Sequence, residues 1–178
     1  MKSIHLKNGQ MVLLREVVKD DAPELIAYLH KIGGETDFLT FGPGELSVNI
    51  SDEEAFLEES RNVQNGLIIL ALVGNEVIGC LQFTGGARSR TRHAGEFGVS
   101  VLKNYWNQGI GTAMLYELLE WAKASTIIRK LNLRVRSDNI SAVRLYNKFG
   151  FVQEGLISRE FFISGTFYDS IHMGLNLD

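Results

Sequence analysis

Between residues 96 and 125 the chain reads as strand, polar connector, glycine turn and helix in immediate succession, and the rest of the sequence has to be built around that unit. Glu96 to Val101 is strand-like, Lys103 to Asn107 is polar, and Gln108-Gly109-Ile110-Gly111-Thr112 opens a helix predicted to run to about Ser125. A helix entered this abruptly leaves its first amides without intrahelical acceptors and puts the positive end of its dipole behind them. Such a turn can hold phosphate. A Cβ at Gly109 or Gly111 would keep a ligand's oxygens off the main chain. Ile110, Met114, Leu115, Leu118 and Ala122 recur at helical spacing, opposite Glu117, Glu120 and Lys123, so one helix face packs on a sheet and fixes the loop.

Several phosphate loops are compatible with a glycine turn, and the spacing separates them. A Walker loop requires a lysine directly after its last glycine, and none follows here. A dinucleotide fingerprint requires a third small residue where Met114 stands, at the head of a strand-helix-strand repeat, which makes the match weak. Gly109, Ile110 and Gly111, after the apolar strand residues Val99 and Val101, closely resemble the pyrophosphate loop of the GNAT superfamily of N-acetyltransferases. The Gln or Arg of that family's pattern falls on Trp106. A Tyr-Trp pair like Tyr105-Trp106 occurs in the branch that resembles ribosomal-protein alanine acetyltransferases. Taken alone, the loop is equally compatible with an ordinary turn that starts a core helix.

The remaining sequence bounds the answer. Its 178 residues predict one domain, residues 1–178, with chain enough for a real hydrophobic core. A net charge of −3 gives no general attraction to nucleic acid or to an anionic membrane. The one cysteine, Cys80, lies in an apolar run, which excludes a disulfide framework and reads as a structural thiol. No apolar run has the length of a membrane span and the start of the chain lacks a signal-peptide core, so the expected compartment is the cytoplasm. No metal-ligand spacing stands out.

In chain order, two short runs around Asn8-Gly9 predict a hairpin, and Asp20 or Asp21 with Pro23 predicts a helix that stops at Gly33-Gly34. Glu35 to Ile50 reads as a long loop, and loops of that length in compact domains usually carry function. Ser51 and Glu54 suggest a capping box for a helix to about Asn65. Leu67 to Val73 and Val77 to Thr84 form a hairpin across Gly74-Asn75, followed by a basic loop with Arg88, Arg90 and Arg92. Leu131, Leu133 and Val135 alternate with polar residues as a half-buried strand. A helix from Asn139 to Phe149 stops at Gly150, and two strands, Phe151 to Ile163 and Phe167 to Leu177, turn at Ser164-Gly165.

The helix from Asn139 carries a second constellation. Asn139, Ala142 and Tyr146, followed by Phe149-Gly150-Phe151, resemble another recurrent GNAT motif, an Asn-x-x-Ala-x-x-x-Tyr run with Gly-Phe after it. Asn139 and Tyr146 are two helical turns apart and share one side. By themselves they read as a helix cap and a core tyrosine. Arg15 with Asp21-Ala22 resembles the family's opening strand and helix, and Gly165, Tyr168, Asp169 and Met173 resemble the last hairpin of the ribosomal-protein branch. The resemblance therefore covers essentially the whole chain.

What the resemblance implies is an α/β fold: a mixed, largely antiparallel sheet of six to seven strands, flanked by helices and splayed between its two central strands. It implies acetyl-CoA as co-substrate, without a metal, its pyrophosphate on the amides of Gln108, Gly109, Ile110, Gly111 and Thr112. The pantetheine arm runs beside Val99 and Val101, and Asn139 borders the same site. An amine acceptor attacks the thioester directly, Tyr146 stands beside the sulfur and can protonate the departing thiolate, and Glu96 is the expected base, directly or through water. His93 is a second candidate base. Tyr168 and Asp169 are candidates for the acceptor pocket, and the three loop arginines for steering charge. Two other readings stand beside this one: an acyl-CoA-binding domain without activity, and a dinucleotide-dependent oxidoreductase. The final hairpin is a plausible place for two copies to pair.

Overall fold

The computed structural model describes residues 2–177. Its eight strands form one sheet: β1 (Lys2–His5), β2 (Met11–Glu16), β3 (Gly66–Val73), β4 (Glu76–Gly85), β5 (Ala94–Val101), β6 (Lys130–Arg136), β7 (Val152–Ile163) and β8 (Thr166–Asn176). Their order is β1-β2-β3-β4-β5-β6-β8-β7, one strand more than the upper expectation. Every neighbouring pair is antiparallel except β5 and β6. Four α-helices complete the fold: α1 (Ala22–Gly33), α2 (Ile50–Ser60), α3 (Ile110–Ala124) and α4 (Ile140–Lys148).

The helices lie on both faces of the sheet. Phe83 of β4 meets Trp121 of α3 edge-on, and its cross-strand partner Phe97 meets Tyr146 of α4, so odd-numbered residues of β4 and β5 face α3 and α4. Ser100 points the other way, where its hydroxyl lies 2.7 Å from the Tyr28 hydroxyl of α1. With helices on either side, Leu67 to Leu72 of β3 are buried without alternation, as a strand covered on both faces must be.

Two local expectations shift. Asn49, not Ser51, caps α2: its side chain accepts the Asp52 N–H at 2.9 Å, and the Ser51 hydroxyl donates to it at 2.7 Å. That helix ends at Ser60 rather than near Asn65, because Asn62 to Asn65 turn back into β3. The Asp21 carboxylate stands at the N-cap of α1 but makes no capping bond to that helix. It takes Arg15 in a two-pronged pair, 2.6 Å on each arm, and the Val18 N–H at 2.8 Å. Burial raises the Asp21 carboxyl, but these bonds outweigh it and hold the group below the usual carboxylate range. Asp21→Ala, which leaves Arg15 half-buried and unpaired, should cost about 2–3 kcal/mol in urea unfolding at pH 7. A depressed carboxyl stabilises only above its unfolded pKa, so the penalty should fade as pH falls below about 4.

Candidate active site

The parallel pairing of β5 with β6 covers only Ala94, Gly95 and Glu96 against Lys130, Leu131 and Asn132. Beyond Glu96 the two strands separate, and the gap widens into a cleft of ≈ 1120 Å³. The Leu102 N–H bonds the Ile78 carbonyl in β4, so by the two-residue period Ser100 and Gly98 also turn their main chain toward β4. Phe97, Val99 and Val101 therefore turn theirs into the gap, an open strand edge inside the molecule. The Val101 carbonyl is met by the Trp106 indole N–H at 2.6 Å. Sequence reading gave Trp106 no such role; a tryptophan two residues before a glycine turn is the signal it left.

The glycine loop closes one end of this cleft. Gly109 stands at the N-cap of α3 with φ 86° and ψ 0°, a left-handed conformation that glycine adopts without strain. Asn107 is also left-handed, at φ 60°. Among the described residues, no protein acceptor meets an amide from Gln108 to Thr112; the next, Ala113, bonds the Gly109 carbonyl at 2.9 Å. Gly109, Ile110, Gly111 and Thr112 line the cleft, and the Gln108 side chain is turned back onto the Asn104 carbonyl at 3.1 Å. A Cβ on Gly111 would meet only Leu145 Cδ2, at 3.7 Å, so the protein's own packing does not require a glycine there.

Tyr146 is 7% exposed, stacked edge-on against Phe97 and Phe151, and lines the same cleft. Its hydroxyl has no protein partner among the described residues, and burial pushes its pKa up to about 12. Asn139 caps α4 by accepting the Ala142 N–H at 3.2 Å, the role its residue type suggests on its own, and also lines the cleft. Cys80 lines it too, where burial pushes the thiol up to about 12 and keeps it protonated.

Glu96 is on the cleft wall, half-exposed, with Oε1 accepting Arg134 Nε at 2.8 Å. Arg134 also reaches Glu160 at 3.0 Å, and the Ser170 hydroxyl donates to the other oxygen of Glu160. The hydrogen bonds from Ser170 and Arg134 hold the Glu160 carboxyl below its ordinary range. A bulge places Glu160 here: Ser158 to Glu160 stand opposite Asp169 alone, with Arg159 left-handed at φ 55° and its N–H on Asp169 Oδ1 at 2.8 Å. Asp169 therefore fastens the bulge instead of lining the cleft. Tyr168 packs on Arg136, whose guanidinium lies 4.2 Å from that ring and 4.4 Å from Phe38. Arg136 also holds the Asp37 carbonyl at 3.0 Å, which ties the long loop before α2 to β6. His93, Arg88, Arg90 and Arg92 are not part of the cleft wall; the His93 carbonyl receives the Arg129 N–H.

An internal strand edge, a free-amide turn and an unpartnered tyrosine meet in one cleft. Residues 37–151 match the family model described as the acetyltransferase (GNAT) family. The chain belongs to that family. A GNAT-family acetyltransferase from Streptococcus pneumoniae superposes with a TM-score of 0.90 at 36% identity, covering 94% of this chain and 99% of that one. A protein from Salmonella typhimurium, solved with its cofactor acetyl-CoA, superposes with a TM-score of 0.80 at 19% identity, over 94% of each chain. Among curated proteins, the L-amino acid N-acetyltransferase of Escherichia coli (strain K12) is 28% identical over 59% of this chain and 65% of its own length. The sheet of this GNAT fold agrees with the expected mixed, splayed architecture. Among the described residues no helix is long and apolar enough to cross a membrane.

Proposed function

We propose that this protein transfers the acetyl group of acetyl-CoA to a primary amine, acting as a single N-acetyltransferase domain. The observation that carries the reading is the run of unengaged amides from Gln108 to Thr112, at one end of a cleft that also holds the open β5 edge and the free Tyr146 hydroxyl. The residues present suit acetyl-CoA: amides and a helix N-terminus for the diphosphate, and main chain at Phe97 and Val99 for the pantetheine amides. Val101 offers its N–H, its carbonyl being taken by Trp106. Asn139 borders the site through its uncommitted amide nitrogen.

The chemistry asks little else of the chain. The amine nitrogen attacks the thioester carbon, the C–S bond breaks, and the proton lost by the amine balances the one the thiolate gains. An ordinary alkylammonium must first be deprotonated, and Glu96 has its Oε2 free to accept that proton directly or through water. Tyr146 donates a hydrogen bond to the sulfur as charge develops there. The test is a panel of amines with acetyl-CoA, read as thiol release; turnover of at least one is expected, and Glu96→Gln should lower its rate about tenfold or more. No turnover with any amine, while acetyl-CoA still binds, supports the non-catalytic acyl-CoA-binding reading. In the same reading the protein works in the cytoplasm, and two copies pair through the β7-β8 hairpin, where Phe162 and Phe167 are exposed.

A further inference from the structure

Past the Glu96–Asn132 pair the sheet is open from one face to the other, and the two faces differ. Tyr146 approaches from the side of α3 and α4, stacked on Phe97. The opposite side presents Gln82, Thr84, Glu96, Arg134 and Glu160. Gly98 lies on that second side, between Glu96 and Ser100 and paired with Gln82. Its φ is outside the left-handed region, and a Cβ built on it meets nothing within 4 Å. Neither backbone conformation nor packing accounts for a glycine here. What its missing side chain leaves is clear space at the edge of the gap, one residue along from the ring that carries Tyr146.

The charges around that space are lopsided. Glu96 and Glu160 hold Arg134 between them, two carboxylates sharing one guanidinium. The second arginine on this face, Arg136, is buried between two rings and bound to Asp138 at 2.7 Å. The part of the loop over this side that lines the cleft, Thr36 and Phe38 to Phe41, is uncharged and offers a carboxylate no lysine or arginine. An ammonium arriving here finds the open Oε2 of Glu96, whereas a carboxylate finds guanidiniums already bound to carboxylates.

We propose that the bare backbone at Gly98 is the aperture by which the acceptor reaches the thioester, and that its surroundings select a cationic primary amine bearing no carboxylate. This rests on the acetyl-CoA reading above. A side chain at 98 occupies the acceptor's path from the face opposite the donor, so acceptor and donor effects separate. The experiment compares 1,5-diaminopentane with lysine, which differ by one carboxylate, in the parent protein and in Gly98→Val, alongside the melting shift given by acetyl-CoA. Expected are a kcat/KM at least about tenfold higher for the diamine, and a rise in its KM of about tenfold or more in Gly98→Val with the acetyl-CoA shift retained. Gly98→Ala gives a smaller rise in the same direction. Equal or better use of lysine overturns the proposal, as does turnover of neither amine by a protein that acetyl-CoA stabilises. So does a parental diamine KM in both variants, or a lost acetyl-CoA shift in Gly98→Val, which moves Gly98 to the donor site. A parent that acetyl-CoA does not stabilise overturns the donor reading itself, and this inference with it.

Discussion

Tyr146→Phe is expected to lower kcat for acetyl transfer roughly 100-fold while leaving the acetyl-CoA-induced melting shift intact. The phenol, pushed up to about 12 by burial, is a weaker acid than a free thiol of pKa about 8.5, so its proton is not handed outright to the thiolate. Its contribution is instead a hydrogen bond that strengthens as sulfur becomes negative, in a place where little water competes. Removing one such donor from a shielded site typically costs about 2.7–4 kcal/mol in the transition state and little in the ground state. Stacking on Phe97 and Phe151 survives in the phenylalanine variant, so the fold is held constant. The same burial fixes a pH signature. The active form is the neutral phenol, and kcat in the parent should show no loss from its ionisation between pH 8 and about 10. Parental kcat in Tyr146→Phe, measured as thiol release at saturating amine, would leave the hydroxyl a rim group of the core.

The parts of this site that could be read in the sequence are those made by neighbours along the chain. Gly109 and Gly111 before an amphipathic helix, and Asn139 two turns ahead of Tyr146, are local patterns whose geometry follows from helix periodicity and capping. The acceptor side was not legible in the same way. Arg134 meets Glu96 and Glu160 because β6 lies between β5 and β8, and β7 joins the sheet outside β8. Nothing local specifies that order. Glu160 faces the cleft only because a bulge around left-handed Arg159 turns it there, and no glycine marks the bulge. Arg136 looks like one of several polar residues on an alternating strand, yet it is buried between Phe38 and Tyr168, 98 and 32 positions away in the chain. The cap of α2 was misplaced for a smaller reason: Asn49 and Ser51 are both good caps, and Asn49 takes the Asp52 N–H.

Gly111→Trp is expected to abolish the stabilisation that acetyl-CoA gives. A ligand at 100 times its Kd stabilises a protein by about 2.7 kcal/mol, which for a chain of this length is a melting shift of roughly 5–10 °C. The indole has to leave the helix on the cleft side, beside Leu145, and cover the amides of Ile110 to Thr112. With those amides hidden, the diphosphate loses both its hydrogen bonds and the dipole behind them. Position 111 isolates this effect better than position 109. At Gly109, with φ 86°, any side chain strains the turn by about 1–2 kcal/mol whether or not a ligand binds. At Gly111 the backbone is helical and a methyl fits in ordinary contact, so Gly111→Ala should keep the parental melting temperature and give a reduced shift. NAD should shift the parent by nothing measurable, since the dinucleotide spacing is missing at Met114. A Gly111→Trp protein that folds and still gains several degrees from acetyl-CoA would place the diphosphate elsewhere. The open edge of β5 would then remain as a strand awaiting some other partner.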